Sequence, residues 1–113
     1  MNYEDMSDFE INKAVARHLP IDWCWMDSTV YLDIDHTEVF DPCNAWKDAG
    51  PIIIDNDIEL SIGRHGGFKT GSYISRGLWE REGNENYANI ISFNKNPLRA
   101  AMICFLKMKD AGL

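Results

Sequence analysis

The sequence predicts an α+β domain: an antiparallel sheet of about four or five strands packed with an N-terminal and a C-terminal helix, plus a short middle helix. Three observations lead there. Capping signals and an apolar face mark a helix near the start of the chain, the hydrophobic period drops to two in the middle, and residues 94–112 carry the strongest helical pattern of all. A chain of 113 residues, 45% hydrophobic and 12% aromatic, suits one domain with a real core rather than a disordered segment.

Taken in order, Ser7 and Glu10 form an S-x-x-E capping box, with Met6 and Ile11 placed to staple across it. Ile11, Ala14, Val15, His18 and Leu19 recur as one buried face, which makes His18 a core histidine, and Pro20 ends the helix. Val30, Leu32 and Ile34 then alternate with Tyr31, Asp33 and Asp35. That period predicts a strand with one wet face, paired with Trp23 to Met26 across a turn at Asp27 and Ser28. Asp41 to Gly50 reads as a loop leading into a short helix, while Pro51 to Ile54 fits the end of that helix or the start of a strand equally well.

Ile58, Leu60 and Ile62 predict a further strand from Asp57 to Arg64. Residues 63–77 carry five glycines and almost no apolar period, the pattern of a long mobile loop or a loosely formed hairpin. Leu78 to Glu82 and Tyr87 to Phe93 form another predicted hairpin. In the last helix Asn96 is the cap, Pro97 takes the first helical position, Lys107 and Lys109 suit the C-terminal end of the dipole, and Gly112 is the stop. Ala100 to Leu106 is an unbroken run of seven apolar residues, so this helix is expected to be buried on more than one side and to anchor the fold.

Charge is uneven. Residues 1–62 hold 14 Asp or Glu against 3 Lys or Arg, net −11, whereas residues 63–113 hold 4 against 8, net +4. Such an acidic half disfavours duplex nucleic acid as a partner. No run approaches the roughly 20 apolar residues of a membrane span, and the first residues are acidic, so the expectation is a soluble cytoplasmic protein without a membrane partner. The odd cysteine count, Cys24, Cys43 and Cys104, suits reduced thiols.

Four stretches carry a family resemblance: SDFEINKAVA at Ser7 to Ala16, FDPCN at Phe40 to Asn44, PIII at Pro51 to Ile54 and KNPLRAAMICFL at Lys95 to Leu106. Together they resemble the NinX-type proteins of tailed bacteriophages and enterobacterial prophages, small accessory proteins classed as a domain of unknown function. The resemblance spans nearly the whole chain and implies a phage origin and a cytoplasmic location in the bacterial host. It implies no catalytic or ligand residues. The arrangement is also similar, more loosely, to phage domains described as an α/β/α sandwich. In one place the chain departs from the family pattern: Gly50 precedes Pro51 where the family has a Trp, and the Trp here is Trp46.

Several constellations invite chemistry. Asp33-Ile34-Asp35-His36-Thr37 matches D-x-D-x-T, which resembles the first motif of haloacid-dehalogenase-type phosphatases, with Asp33 as nucleophile, Asp35 as acid/base and Mg²⁺ on the phosphate. The acidic stretch at Ile52 to Asp57 follows too closely for the parallel crossovers such enzymes need. A solvated acidic strand face is the simpler reading, with the two carboxylates about 6.6 Å apart, and such a face could also imitate nucleic acid. Cys24, His36, Cys43 and His65 are zinc-type ligands at irregular spacing, and Cys43 is the one cysteine in a loop. Neither pattern calls for a metal, and no cofactor is implied.

Arg64, His65, Lys69, Tyr73 and Arg76, set among glycines, could wrap an anionic or nucleotide-like ligand with cations, backbone N–H groups and stacking rings. The chain is therefore expected to be a non-enzymatic phage accessory protein that binds a host protein. The alternatives are an anion binder acting through residues 63–77 and, more remotely, a phosphatase at Asp33.

Overall fold

The computed structural model describes residues 2–58, 61–65, 68–72, 92 and 94–112. A short 3₁₀ turn, Tyr3–Asp5, precedes helix α1 at Asp8–Arg17; strands β1 (Cys24–Met26) and β2 (Thr29–Tyr31) follow, then helix α2 (Trp46–Asp55), strands β3 (Ser61–His65) and β4 (Phe68–Ser72), and helix α3 (Pro97–Asp110). The architecture is α+β. Among the described residues the strands form two separate antiparallel pairs, β1 with β2 and β3 with β4, and the single sheet of four or five strands is not seen there. The hairpin predicted at Leu78 to Phe93 lies outside the described residues apart from Ser92.

Helix α1 starts where its cap predicts, the Ser7 hydroxyl accepting the Glu10 N–H at 3.2 Å. It buries Ile11, Asn12, Val15 and Ala16. His18 departs from expectation. It is the C-cap residue and is exposed, with only its ring edge against Phe105 at 6.1 Å. Pro20, two residues on, ends the helix there, so the imidazole stands at the rim of the buried face and not beneath it.

Asp27 and Ser28 both adopt positive φ, 48° and 61°, the two-residue turn whose twist matches a right-handed strand pair. The ladder pairs Cys24 with Tyr31, Trp25 with Val30 and Met26 with Thr29. The predicted strand through Ile34, however, ends at Tyr31. Residues 33–36 fold into a turn, with His36 in the left-handed region at φ 56°. The chain then returns beside β2, with Leu32 N–H to Glu38 O and Phe40 N–H to Val30 O both at 2.8 Å. Alternation alone could not reveal that reversal, because Asp33 spends its carboxylate on closing the turn.

Pro51 to Ile54 proves helical, continuing α2 with Pro51 inside it. An interior proline costs about 3 kcal/mol in an isolated helix. Here the same turns bury Ala49, Gly50, Ile52 and Ile53, and each large aliphatic side chain so buried contributes about 1.5–3 kcal/mol. Packing therefore outweighs the local preference. Asn56 closes the helix, its amide donating to the Ile52 carbonyl at 2.8 Å.

Residues 61–72 take the hairpin alternative, β3 pairing with β4 from Ser61 opposite Ser72 to His65 opposite Phe68. Of the strand expected from Asp57 to Arg64, the described part is Ser61 onward, and Asp57 itself turns with φ 52°.

Helix α3 packs against α1, α2 and β4. That placement explains its sequence. Every residue from Ala100 to Leu106 is buried, because neighbours approach from several directions and leave no wet face for polar residues. Asn96 caps it as predicted, accepting the Leu98 N–H at 3.0 Å and the Arg99 N–H at 3.4 Å.

Candidate functional site

Three segments distant in sequence meet around the N-termini of α1 and α3. Arg99, in the first turn of α3, donates from Nη1 to Asp8 Oδ1 at 2.6 Å and from Nη2 to the Met6 carbonyl at 2.5 Å. Asn96 caps α3 through its oxygen while its amide nitrogen reaches Asn44 Oδ1 at 3.0 Å and the Cys43 carbonyl. Asn12 is 5% exposed. Its Nδ2 donates to Asp41 Oδ1 at 2.8 Å and its Oδ1 accepts the Cys43 N–H at 3.1 Å. The Asn44 amide closes the circuit onto Asp8 Oδ2 at 3.1 Å and onto Asp41.

Sequence reasoning missed this network, although its members lie in the stretches Ser7 to Ala16, Phe40 to Asn44 and Lys95 to Leu106. A signal existed in the polar residues on otherwise apolar elements, Asn12 above all. The oxygens and nitrogens that converge here satisfy one another, as buried polar groups must. The arrangement clasps three elements together, and its groups are engaged in that task.

Cys43 lies beside the network, fully buried. Burial pushes its thiol far above the ordinary cysteine range, and the Asp8 carboxylate adds to the effect. Cys104, within α3, is pushed up to about 12 by burial. Burial of this kind disfavours the thiolate that nucleophilic chemistry uses, and at 0% exposure the loop cysteine is part of the core. Among the described residues no three His, Cys, Asp or Glu side chains gather as metal ligands.

Asp33 and Asp35 do not share a strand face. Asp33 accepts the Thr37 N–H at 3.0 Å, the Glu38 N–H at 2.9 Å and the Thr37 hydroxyl. Chiefly that hydroxyl, then the Glu38 N–H, hold its carboxyl below the usual carboxylate range. A carboxylate so engaged closes a turn, and the strand before it belongs to an antiparallel hairpin. This is not the parallel strand end of a phosphatase nucleophile. Asp35 is exposed at the turn.

Of the anion-binding candidates, the β3–β4 register places Arg64 opposite Lys69 and His65 opposite Phe68. Tyr73 and Arg76 lie outside the described residues.

Two grooves flank Phe9. One, of about 650 Å³, runs between Tyr3, Glu10, Lys13, His18 and Leu106; the other, of about 400 Å³, lies between α1 and the returning chain, bounded by Asp8, Asn12, Tyr31 and Asp41. Phe9 and Trp25 meet at 5.8 Å between ring centres, with the Lys13 ammonium 5.0 Å and 5.1 Å from the two rings. The cation and the two rings attract one another and hold the hairpin to α1. Among the described residues no helix is long and apolar enough to cross a membrane.

No curated protein and no solved structure matches the chain. The family model described as "Bacteriophage P22, NinX" does match, over residues 2–109. All three clasped segments and the helical turn from Pro51 to Ile54 fall inside that span, and the chain belongs to this phage protein family.

Proposed function

We propose that this chain is a non-enzymatic phage accessory protein that acts by binding a host protein. The observation that carries the reading is a concentration of exposed apolar side chains on one short segment. Trp25 is 56% exposed, Met26 43%, Ile34 86% and Val39 43%, all within fifteen residues of the hairpin and its following turn. Large apolar groups left in water on a folded scaffold are the usual mark of a surface that another protein covers. The carboxylate and thiols that could have served chemistry are engaged in a turn or buried. The test is capture from host lysate with the tagged full chain. A specific partner recovered at stoichiometric amount is expected, and its absence overturns the reading.

A second reading follows from the β3–β4 register. Arg64 and Lys69 are directly opposite, a pairing of like charges that destabilises a ladder unless an anion lies between them. On this reading Arg64, His65, Lys69, Tyr73 and Arg76 remain the candidate ligand residues for a small nucleotide-like anion. Thermal shift against a nucleotide panel checks it: a rise in Tm lost in Arg64→Gln supports the site, and a flat response removes it.

A further inference from the structure

Register decides which way the hairpin side chains point. Residues paired across an antiparallel ladder share a side, and the sides alternate along each strand. Trp25 and Val30 face α1, for Val30 is 1% exposed and Trp25 meets Phe9. Met26 therefore faces the opposite way, and so do Tyr31 and its bridge partner Val39. Ile34 stands at the tip of the adjoining turn.

Along the chain, the segment that carries this outer face is acidic; a cation that reaches it, Lys47, lies 3.3 Å from the Val39 carbonyl and is already paired with Asp48. No Lys or Arg occurs between Arg17 and Lys47, whereas six Asp or Glu do. Asp33 and Asp41 are engaged in hydrogen bonds, but Asp27 and Asp35 are exposed in the turns beside the apolar residues, and Glu38, which alternates with Val39 in register, is exposed at the edge of the same segment.

We propose that this outer face docks a basic segment of a partner protein, whose Lys or Arg side chains meet Asp27, Asp35 and Glu38 while its apolar side chains cover Met26, Ile34 and Val39. The proposal rests on the protein-binding reading above and names its surface and the partner's chemistry. Charge separates the possible occupants. A second copy docking through this same face would bring the same acidic groups, and a nucleic acid would bring phosphates; both arrangements are repelled. A basic segment gains attraction that steers encounter together with apolar burial that holds it.

The test titrates the isotope-labelled full chain with a synthetic peptide of alternating Lys and Leu and, separately, with its Glu and Leu counterpart, reading backbone amide shifts at low and moderate salt. The basic peptide is expected to perturb residues 24–39 and to weaken as salt rises, and the acidic one to leave them unmoved. The triple variant Asp27→Asn, Asp35→Asn, Glu38→Gln should weaken the basic peptide roughly tenfold or more. Its melting temperature should hold, since all three side chains are exposed and Asn suits the left-handed conformation of residue 27. Shifts confined to another face, equal binding of the acidic peptide, or self-association that the variant abolishes would each overturn the proposal. Lysate capture separates it from the broader reading. A host protein held equally by wild type and triple variant refutes this surface alone, whereas no capture combined with basic-peptide shifts at 24–39 refutes host binding alone.

Discussion

Trp46 lies across Gly50, so close that a Cβ on residue 50 would stand 2.9 Å from its ring atoms Cε2 and Nε1. Glycine at that helical position costs about 1 kcal/mol relative to alanine, and the indole is the reason alanine does not fit. Gly50→Ala should therefore displace Trp46, read as a shift in tryptophan fluorescence, with little net change in stability. In a Trp46→Ala background the same change should stabilise by about 0.5–1 kcal/mol, a coupling that a double-mutant cycle in urea measures. Asn12 is the other decisive residue. Asn12→Ala leaves the buried Cys43 N–H without its acceptor and removes a donor from Asp41, so a loss of about 2 kcal/mol is expected in chemical denaturation. A loss below a few tenths would show that water replaces the amide.

Among the elements, α3 does the most to hold the others in place. Phe105 is 1% exposed, and Phe105→Ala should cost about 3–5 kcal/mol, a large part of a small domain's total stability. Phe105→Asp, which adds a buried charge, should abolish soluble expression, as should Leu98→Asp. An unchanged melting temperature in any of the three would refute the role of α3 as anchor. The stretches that identify the family belong to this same level. Asn96, Arg99, Asp41, Asn44, Asp8 and Asn12 join α1, α3 and the loop between β2 and α2, so three of the four stretches that carry the resemblance meet at a structural junction. The groups of that junction satisfy one another, and the candidate docking face lies apart from them, on the hairpin.

At the scale of the whole molecule, the first and last described segments are tied together. The Tyr3 hydroxyl donates to Asp110, and Lys107 reaches Glu4 at 2.9 Å. Glu4 is held below its ordinary 4.5, chiefly by the Lys107 hydrogen bond. Its contribution is therefore present above pH 4.5 and lost as pH falls through the lowered value. Tyr3 is raised from 10.0 to about 12 by burial and by the Asp110 carboxylate. Its contribution is present below pH 10 and lost as pH rises toward 12. Urea midpoints measured across pH should fall at both ends. Glu4→Gln should flatten the acid limb and Tyr3→Phe the alkaline one, the acid effect being small because Glu4 is largely in water. A limb that keeps its slope in the matching variant would refute that assignment.

The sequence by itself determined the features that depend on near neighbours: the Ser7 and Asn96 caps, the turn at Asp27 and Ser28, and the full burial of Ala100 to Leu106. Caps and turns are legible because their energies come from residues within a few positions of one another, and the apolar run is legible because it offers water no polar face, whichever elements come to cover it. Tertiary structure decided the rest. Pro51 to Ile54 became helix because burial outweighed the proline, His18 stayed outside because the helix ended beneath it, and Asp33 left the strand to close a turn. The clasp around Asn12 was equally illegible, since its partners Asp41 and Cys43 lie 29 and 31 residues away, and so was the outward face of Met26 and Val39, since it is outward only because α1 covers the other side of the hairpin.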